Sequence, residues 1–244
     1  MERRAGAVEW LDGPLDDQPE LVGNLRDLAR INRWLGGSSL SERAIDALLA
    51  GGHRDAAAAN GQAIRLLDVG TGGADIPLAL LARARTHGRR LNIVGLDSRS
   101  EVLEAAILAD PRLATESDLT LQVGDGQALP YPDDSFDLAH ASLVLHHLTP
   151  GEAGILLAEM ARVARRGVVI NDLARGWLAW SAAWLLGHTL TTNRLTRHDG
   201  PISVTRAYGP AEASAMLARA GLRVVATETG LLGHRWAIAA ERIR

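Results

Sequence analysis

Acidic residues follow the predicted buried strands of this chain at places where they could hold a charged or hydroxyl-rich ligand. Residues 66–69 have the pattern of a short buried strand that contains Asp68, and the glycine-dense turn 70–74 leads from it into a helix. Glycines let the backbone approach a ligand closely, and a helix start offers free N–H groups. Two further acids, Asp97 and Asp125, follow the next two strands. A carboxylate there attracts an ammonium group or accepts hydrogen bonds from ribose hydroxyls, and it repels a pyrophosphate.

The glycine turn departs from the fingerprint Gly-x-Gly-x-x-Gly that binds nicotinamide and flavin dinucleotides, although it has the strand–turn–helix context of that motif. Counted from Gly70 and Gly72, the third glycine of the fingerprint falls on Asp75. That position calls for glycine because the helix packs tightly against the strand there. The sequence therefore does not predict a dinucleotide site.

The turn instead resembles the first motif of the class I S-adenosylmethionine-dependent methyltransferases, which reads acid-x-Gly-x-Gly-x-Gly. In this chain Ala74 replaces the last glycine, with another glycine directly before it. Asp97 and the stretch 124–131 occur where the family has its second and third motifs. The stretch 132–137 resembles the proline-acid-x-x-Phe-Asp sequence that precedes strand four in the family. Together these motifs extend the resemblance over residues 64–171.

The resemblance implies S-adenosylmethionine as the cofactor, with S-adenosylhomocysteine as the product. An acid in the first motif suits the ammonium and sulfonium charges at the methionine end of this cofactor. In the family, the acid after strand two binds the ribose hydroxyls, and the acid after strand three binds the adenine amino group. The residues predicted on this basis to bind the cofactor are Asp68, Gly70, Thr71, Gly72, Asp97, Ser98, Asp125, Gly126 and Ser142.

The fourth strand leads into His146-His147, beside the position expected for the transferable methyl group. This ending resembles the methylases of ubiquinone and menaquinone biosynthesis and their relatives in natural-product pathways. The chain lacks the Asn/Asp-Pro-Pro-Tyr tetrad of adenine and glutamine methylases. It also lacks an acid after strand four, and strand five ends in Asn171-Asp172, the reverse of the Asp-Asn pair of metal-assisted catechol methylases. No metal site is predicted.

Four histidines are candidates for the base that removes a proton from the acceptor. Histidine is the natural base near neutral pH, and a phenol is a better nucleophile once it has lost its proton. We predict His147 and His198 as the catalytic residues, and His146 and His188 are the second choices for the base. For each of them the alternative is a structural histidine that is hydrogen-bonded or exposed.

A long insertion, residues 172–209, separates strand five from the helix that follows it. Three tryptophans and a histidine recur within it at spacings of three, four and four, which places them on one helical face. We predict that this helix forms a lid over the acceptor. A core-packing stripe or a homodimer contact is the alternative. The residues predicted to bind the acceptor are Trp177, Trp180, Trp184, His188 and Arg197.

Composition narrows the class of protein. The 244 residues carry a net charge of -3 and 47% apolar residues, unlike the strongly basic surface of a nucleic-acid-binding domain. The absence of cysteine excludes disulfides and thiolate chemistry, and the absence of lysine excludes Schiff-base chemistry. The sequence shows no membrane span and no opening signal peptide, so we expect a cytoplasmic protein.

Apolar runs alternate with helical segments from residue 64 onward, which is typical of a mostly parallel sheet with crossover helices. We predict an α/β, Rossmann-like fold with a seven-stranded, mostly parallel sheet, helices on both faces and an antiparallel last strand. The predicted strands are 64–69, 92–96, 119–123, 136–141, 167–171, 223–228 and 235–240. The predicted crossover helices are 74–86, 100–109, 152–164 and 211–220.

The pattern predicts one methyltransferase domain over residues 1–244, divided into four parts. These are an N-terminal helical cap (1–52), a cofactor-binding core (62–171), the lid insertion (172–209) and a C-terminal helix and strand pair (210–244). The small and polar residues 53–61 predict a linker between the first two parts.

The predicted function is transfer of a methyl group from S-adenosylmethionine to a small, hydrophobic, aromatic acceptor, by O-methylation of a phenolic or polyketide-type hydroxyl in secondary metabolism. The tryptophan-rich insertion and the lack of a basic surface favour an acceptor of this kind. Carbon methylation of a quinol-like ring is the first alternative. The second is a protein that keeps the cofactor only as a structural ligand, or that catalyses a rearrangement without methyl transfer.

Overall fold

The computed structural model describes residues 1–50 and 62–243, so the predicted linker at residues 53–61 lies outside the described residues. Seven strands are present in the described ranges: β1 (Ile64–Val69), β2 (Leu91–Asp97), β3 (Leu119–Val123), β4 (Phe136–Ser142), β5 (Ala164–Leu173), β6 (Leu222–Thr229) and β7 (Arg235–Arg242). They form one sheet in the order β3-β2-β1-β4-β5-β7-β6. Only β7 runs antiparallel to its neighbours β5 and β6. The predicted fold class is confirmed.

Eight α-helices accompany the sheet within the described ranges. They are α1 (Gln18–Trp34), α2 (Gly37–Ala50), α3 (Asp75–Thr86), α4 (Ser100–Ala109), α5 (Pro150–Val163), α6 (Trp177–Leu190), α7 (Arg194–Arg206) and α8 (Pro210–Arg219). Local signals set several of their starts. The Asp17 side chain accepts the Glu20 N–H at the start of α1, and Thr149 forms a capping box with Glu152 at the start of α5.

The sheet is buried on both faces, which is why its central strands are nearly continuous in apolar residues. On one face Leu67 of β1 packs in a core that includes Leu157 of α5 and Leu217 of α8. On the other face Leu66 packs in a second core, which α1 to α4 complete. Successive residues of one strand thus serve two different cores, and this fixes the register of the strand.

Strand β5 is longer than predicted and begins directly after α5. It continues to Leu173 because Asp172 and Leu173 pair with Trp236 and Arg235 of the antiparallel β7. The first two residues of the predicted insertion therefore lie in the sheet. The remainder contains two helices, α6 and α7, where the sequence predicted one helix. The function of this segment as a lid stays a prediction.

The first thirteen residues lie along α7, at the edge of the sheet where the parallel strands have their carboxyl ends. The Arg4 N–H donates to Thr205 O at 2.9 Å, and the N–H groups of Trp10 and Leu11 donate to the two carboxylate oxygens of Asp199 at 2.8 and 2.9 Å. Side chains of this segment therefore lie at the carboxyl ends of the strands. Within the described part of the chain, no helix combines the length and the apolar character that a membrane crossing requires.

Candidate active site

A cavity of about 980 Å³ lies at the carboxyl ends of the parallel strands. In open α/β sheets this is the edge at which ligands bind, because the strand order reverses there and leaves a crevice. The glycine turn and the strand ends form one side of the cavity, and α1, α6 and the N-terminal segment form the other. Its volume lies at the upper end of the range of about 300–1,000 Å³ that is usual for ligand pockets. The cavity is therefore large enough for more than one small molecule.

The turn after β1 is built so that backbone, and not side chains, faces the cavity. Gly70 has a φ of +68°, and a Cβ at this position would overlap Val144 Cγ2. Gly72 has a φ of +52°, and nothing lies within 4 Å of the place where its Cβ would be. That open space is a cradle which any larger residue would fill. Ala74, the departure from the family motif, has a φ of +52° and caps α3 without a side-chain hydrogen bond.

Asp97 ends β2 with its carboxylate turned back toward the glycine turn. Its Oδ2 accepts the Gly72 N–H at 3.0 Å and its Oδ1 accepts the Arg99 N–H at 3.2 Å. Burial raises the pKa of Asp97, and these two hydrogen bonds oppose that effect. Because an ionised carboxylate has about four lone-pair positions, it still has capacity for two hydroxyl donors. This is the capacity that a ribose diol needs.

Asp68, at the end of β1, is held from behind by a buried histidine. Its Oδ1 lies 2.5 Å from His140 Nδ1, and His140 Nε2 lies 2.8 Å from Ser41 Oγ. Asp68 and His140 are both almost completely buried. The imidazole thus fixes the orientation of the carboxylate, which lines the cavity beneath the glycine turn.

The remaining residues predicted to bind the cofactor also lie at the cavity. Asp125 Oδ1 accepts the Gln127 N–H at 2.8 Å, which shapes the loop after β3. A Cβ on Gly126 would lie 2.7 Å from Val69 Cγ1, so only glycine lets this backbone pack so closely on β1. The cavity is lined by Asp68, Gly70, Thr71, Gly72, Asp97, Ser98, Asp125, Gly126 and Ser142. A backbone cradle next to three carboxylates fits S-adenosylmethionine, which has a diol, an amino group and two positive charges.

Replacing Asp97 by alanine is expected to weaken cofactor affinity about 10- to 150-fold, since a hydrogen bond to a charged group contributes about 1.5–3 kcal/mol. Calorimetric titration with S-adenosylhomocysteine measures this change. Asp133→Ala is the matched control, because the Asp133 side chain is 72% exposed and pairs only with Arg162 at the surface. Equal affinities of the two variants would remove Asp97 from the cofactor site.

Sequence reasoning missed Arg235, a fully buried guanidinium at the start of β7 that also lines the cavity. Its Nε donates to Asn171 Oδ1 at 2.6 Å, and its two terminal nitrogens donate to Asn32 Oδ1 at 2.6 Å and Ser142 Oγ at 2.7 Å. Asn32 in turn donates to Asp75 Oδ2 at 3.0 Å. Burial lowers the pKa of Arg235 to about 10, against the opposing charges of Asp172 and Asp75.

Two histidines follow β4 in a short helical turn, Leu145–His147. Leu143, with a φ of +59°, turns the chain out of the strand just before them. His146 Nδ1 lies 2.7 Å from Asp172 Oδ1, and His147 Nδ1 lies 2.7 Å from Asp12 Oδ1. A carboxylate on Nδ1 holds the neutral ring in the tautomer whose Nε2 is free to accept a proton. Both histidines line the cavity.

Glu9 faces these two histidines from the N-terminal segment. Its Oε1 is 3.9 Å from His146 Nε2 and its Oε2 is 3.9 Å from His147 Nε2. Ser203 Oγ of α7 donates to Oε2 at 2.9 Å. Burial raises the pKa of Glu9 to about 7, although the positive charges of His147 and Arg206 and the Ser203 hydrogen bond oppose this rise. No motif in the sequence indicates this glutamate.

Arg206, at the end of α7, contacts Asp12 and the backbone of both histidines. It pairs with Asp12 through a short contact, and its Nε and Nη2 donate to the carbonyl oxygens of His146 at 3.2 Å and His147 at 2.8 Å. Burial raises the pKa of Asp12, but hydrogen bonds from His147 and Arg206 outweigh burial and hold that pKa well below its usual range. Asp12 therefore stays ionised beside His147.

His198 does not line the cavity. It stacks on Trp10 with ring centroids 3.8 Å apart, and its Nδ1 lies 2.6 Å from Asp199 Oδ1. Arg197 does not line the cavity either, and its Nε donates to Gly187 O in the last turn of α6 and to Thr191 O directly after this helix. Neither residue is among those that line the cavity in the described part of the chain.

The tryptophan face of α6 also points away from the cavity. Trp177 is 66% exposed and Trp184 is 46% exposed, with Trp184 stacked on His188 at 4.4 Å between ring centroids. Trp180 packs edge-on against Trp177. The cavity is lined from this helix by Leu178, Ala179, Ala182, Ala183, Leu185, Leu186 and Gly187. Since α6 is apolar on nearly every side, its periodicity could not show which side faces inward.

Comparison with known proteins agrees with this geometry. Residues 67–170 match the family model described as methyltransferase domain. A phosphatidylethanolamine N-methyltransferase of Cereibacter sphaeroides is 31% identical over 126 residues, which are 50% of this chain and 57% of that protein. The ubiquinone/menaquinone biosynthesis C-methyltransferase UbiE of Geotalea daltonii is 32% identical over 115 residues, which are 45% of this chain and 46% of that protein. The chain spans about half the length of the curated relatives it matches.

The fold is shared with solved structures over a larger part of the chain. Human N-acetylserotonin methyltransferase, in complex with S-adenosylmethionine, aligns with 100% of this chain and 63% of its own length, with a TM-score of 0.62 and 18% identity. At that identity the likeness concerns the fold alone. Residues 67–170 therefore match a methyltransferase domain, and the seven-stranded sheet that contains them has the fold of a solved S-adenosylmethionine-dependent methyltransferase.

Proposed function

We propose that the protein transfers a methyl group from S-adenosylmethionine to a phenolic or polyketide-type hydroxyl of a small, hydrophobic, aromatic acceptor. One observation carries this proposal. Two histidines, each with its Nδ1 held by a carboxylate, line the same cavity as the glycine turn, Asp97 and Asp125. A base is needed where the nucleophile is a hydroxyl, because the proton must leave before or during attack.

Positioning is the main task of the protein in such a reaction. When bound, S-adenosylmethionine supplies a methyl group on a positively charged sulfur, which is displaced in line by the acceptor oxygen. The glycine turn and the carboxylates at the strand ends hold that molecule, while the apolar wall holds the acceptor and excludes water. Correct alignment of two bound molecules can contribute on the order of 7–11 kcal/mol to lowering the barrier.

His147 is the residue to which we assign proton removal. Its side chain is 25% exposed at the cavity, whereas His146 is nearly closed off at 3%, so His147 is the easier of the two for an acceptor to reach. Once His147 has taken the proton, the Asp12 carboxylate on its Nδ1 stabilises the imidazolium. Asp12 is in turn held by Arg206, and this ion pair fixes the orientation of the His147 ring.

The acceptor wall supports an apolar ring system. From α1 it includes Leu28, Ile31 and Trp34, and from α6 it includes Ala182 and Leu186. Glu9 and the two histidines line the same cavity and supply it with titratable groups. A hydroxylated aromatic molecule can place its ring against the wall and its hydroxyl toward His147.

Filling the wall is expected to block the acceptor and to spare the cofactor. Ala182→Phe adds a ring inside the cavity, so we expect the KM for a phenolic acceptor to rise about tenfold or more, since a lost or blocked apolar contact is worth about 1–3 kcal/mol. Trp184→Ala removes an exposed ring from the outer side of the same helix. This variant should leave both the KM for the acceptor and the affinity for the cofactor unchanged. A raised KM in Trp184→Ala together with an unchanged KM in Ala182→Phe would indicate that the acceptor binds at the tryptophan face.

Two other functions remain to be separated by experiment. A quinol-like ring could accept the methyl group on carbon, and the fold could hold its cofactor without transferring the methyl group. Mass spectrometry of purified protein with S-adenosylmethionine and a panel of phenols is the test. We expect a gain of one methyl group with an equal amount of S-adenosylhomocysteine. Intact cofactor and unchanged acceptors throughout the panel would contradict the proposal.

A further inference from the structure

Three side chains converge at the acceptor end of the cavity with metal-ligand chemistry: Glu9, His146 and His147. Their ligating atoms, one from each residue, all lie within 4.8 Å of one another. We propose that this triad binds a divalent transition-metal cation. The sequence predicted no metal site, because the residues that follow strands four and five lack the acids of metal-assisted methylases. The carboxylate of this triad comes from the N-terminal segment instead.

Each imidazole is oriented as metal-binding histidines are. His146 Nδ1 is held by Asp172 and His147 Nδ1 is held by Asp12, both at 2.7 Å. Metal-ligating histidines almost always donate their second ring N–H to a carboxylate, a carbonyl oxygen or water, which fixes the tautomer and makes the ligating nitrogen more basic. Here both rings have such a carboxylate, and both free Nε2 atoms point toward Glu9.

A second, independent observation indicates a cation between these groups. Glu9 is 98% buried, being 2% exposed, and within the described residues its Oε1 accepts no hydrogen bond. Arg206 Nη1 is 3.4 Å away, outside good hydrogen-bond distance, and is already bound to Asp12. Two imidazole lone pairs and a carboxylate oxygen therefore face one another without a donor between them. Such an arrangement is costly in a buried site unless a proton or a cation occupies the centre.

The charge around the triad suits a divalent ion. With Glu9 ionised and both histidines neutral, as metal ligation requires, Glu9, Asp12 and Asp172 supply three negative charges, and Arg206 supplies one positive charge. Arg235 also acts on Asp172, but the buried carboxylate of Asp75 lies near enough to offset it. Two negative charges thus remain for a cation of charge two.

The ligand types and distances select the class of metal. Two imidazole nitrogens and one carboxylate oxygen form a set used for Zn²⁺ and for Fe²⁺, whereas Mg²⁺ prefers oxygen ligands. Metal–ligand bonds of about 2.0–2.2 Å place neighbouring ligand atoms about 2.8–3.6 Å apart, from octahedral to tetrahedral geometry. The two observed Nε2–Oε distances of 3.9 Å, one to each oxygen of Glu9, are longer, and all three ligand atoms lie within 4.8 Å of one another, so binding requires the three side chains to move closer together.

A cation at this place would leave coordination positions open toward the acceptor wall. An acceptor hydroxyl bound there would lose its proton more readily, because a divalent cation stabilises the phenolate oxygen. This use of the cation rests on the proposed function and would replace proton removal by His147, whose Nε2 cannot accept a proton while it binds the cation. The binding of the cation does not rest on that function, since it needs neither acceptor nor methyl transfer.

Titration of the purified, chelator-treated protein with Zn²⁺ tests the proposal in the absence of any acceptor. Calorimetry should show one saturable site per chain, and Mg²⁺ at the same concentrations should give no heat of binding. Co²⁺ should bind at the same stoichiometry with a visible absorption spectrum that Zn²⁺ abolishes by competition. A protein that binds neither Zn²⁺ nor Co²⁺ at one site per chain would overturn the proposal.

Variants locate the site. Glu9→Gln keeps the shape of the side chain, and His147→Ala removes a ligand at a half-buried position, so each should weaken Zn²⁺ binding by a factor of about 100 or more. His87→Ala is the control, because His87 is exposed and is not among the described residues that line the cavity, and this variant should bind as the wild type does. Affinity for S-adenosylhomocysteine shows that each variant is folded. Unchanged Zn²⁺ affinity in both triad variants would place the metal elsewhere and refute the assignment.

The two proposals fail independently. A protein that methylates phenols but binds no cation would refute the metal site and leave the proposed function standing. A protein that binds Zn²⁺ at the triad but methylates nothing would refute the proposed function and leave the metal site standing.

Discussion

Replacing His147 by alanine should lower turnover of a phenolic acceptor by a factor of about 10²–10⁴, the usual contribution of a general base. Affinity for the cofactor should hardly change, because His147 faces the acceptor end of the cavity and not the glycine turn. His198→Ala should have a much smaller effect, since His198 stacks on Trp10 outside the cavity. An equal loss in the two variants would contradict the assignment of His147 as the base.

The pH dependence separates proton removal from positioning. Near pH 10 a simple phenol ionises without help, so the defect of His147→Ala should shrink as the pH rises toward that value. The measurement is the ratio of wild-type to variant turnover between pH 7 and pH 10, in the presence of a chelator so that no cation replaces the base. A ratio that stays constant over this range would mean that His147 positions the acceptor and does not remove its proton.

Replacing Arg235 by alanine should lower the free energy of unfolding by about 3–5 kcal/mol, the cost of removing one member of a buried charged network. The loss leaves Asn32 Oδ1 and Asn171 Oδ1 without their donor and leaves the buried Asp75 without its countercharge. For a chain of this size the midpoint of thermal unfolding should fall by roughly 6–20 °C. Calorimetric or denaturant unfolding of the variant measures both quantities.

Arg223→Ala is the matched control for Arg235. Arg223 lies in β6, beside β7, but its side chain is 70% exposed and pairs with Glu241 at the surface. Exposed ion pairs of this kind contribute only about 0–1 kcal/mol. Equal stability losses in the two variants would show that the buried network is not what makes Arg235 important.

The cofactor side of the cavity could be predicted from the sequence because strand order and local motifs determine it. In a parallel sheet with short crossovers, residues that follow successive strands meet at one edge. Asp68, Asp97 and Asp125 each lie within two residues of the last residue of a strand, so their positions needed no knowledge of distant contacts. All three line the observed cavity.

The acceptor side could not be predicted in the same way, because long-range contacts create it. Glu9 reaches the histidines only because Asp199, about 190 positions later in the chain, binds the backbone of Trp10 and Leu11. Arg235 reaches Asn32 only because the antiparallel β7 inserts next to β5. Neither contact leaves a spacing pattern in the sequence.

The direction of the tryptophan face shows a third limit. Periodicity placed Trp177, Trp180 and Trp184 on one side of α6, and they do lie together, but on the outer side. Small residues at Ala179 and Gly187 let the helix pack closely, and they face inward. A helix that is apolar all round gives no signal for which side is buried.

The most direct test of the central claim is to locate a labelled methyl group after a single turnover. Purified protein is mixed with S-adenosylmethionine that carries a trideuterated methyl group and with a phenolic acceptor shown to bind, and the product is analysed by mass spectrometry and NMR. The proposed function predicts the label on the phenolic oxygen, with one S-adenosylhomocysteine released per label transferred. A label on ring carbon, or no transfer while the cofactor remains intact and bound, would contradict it.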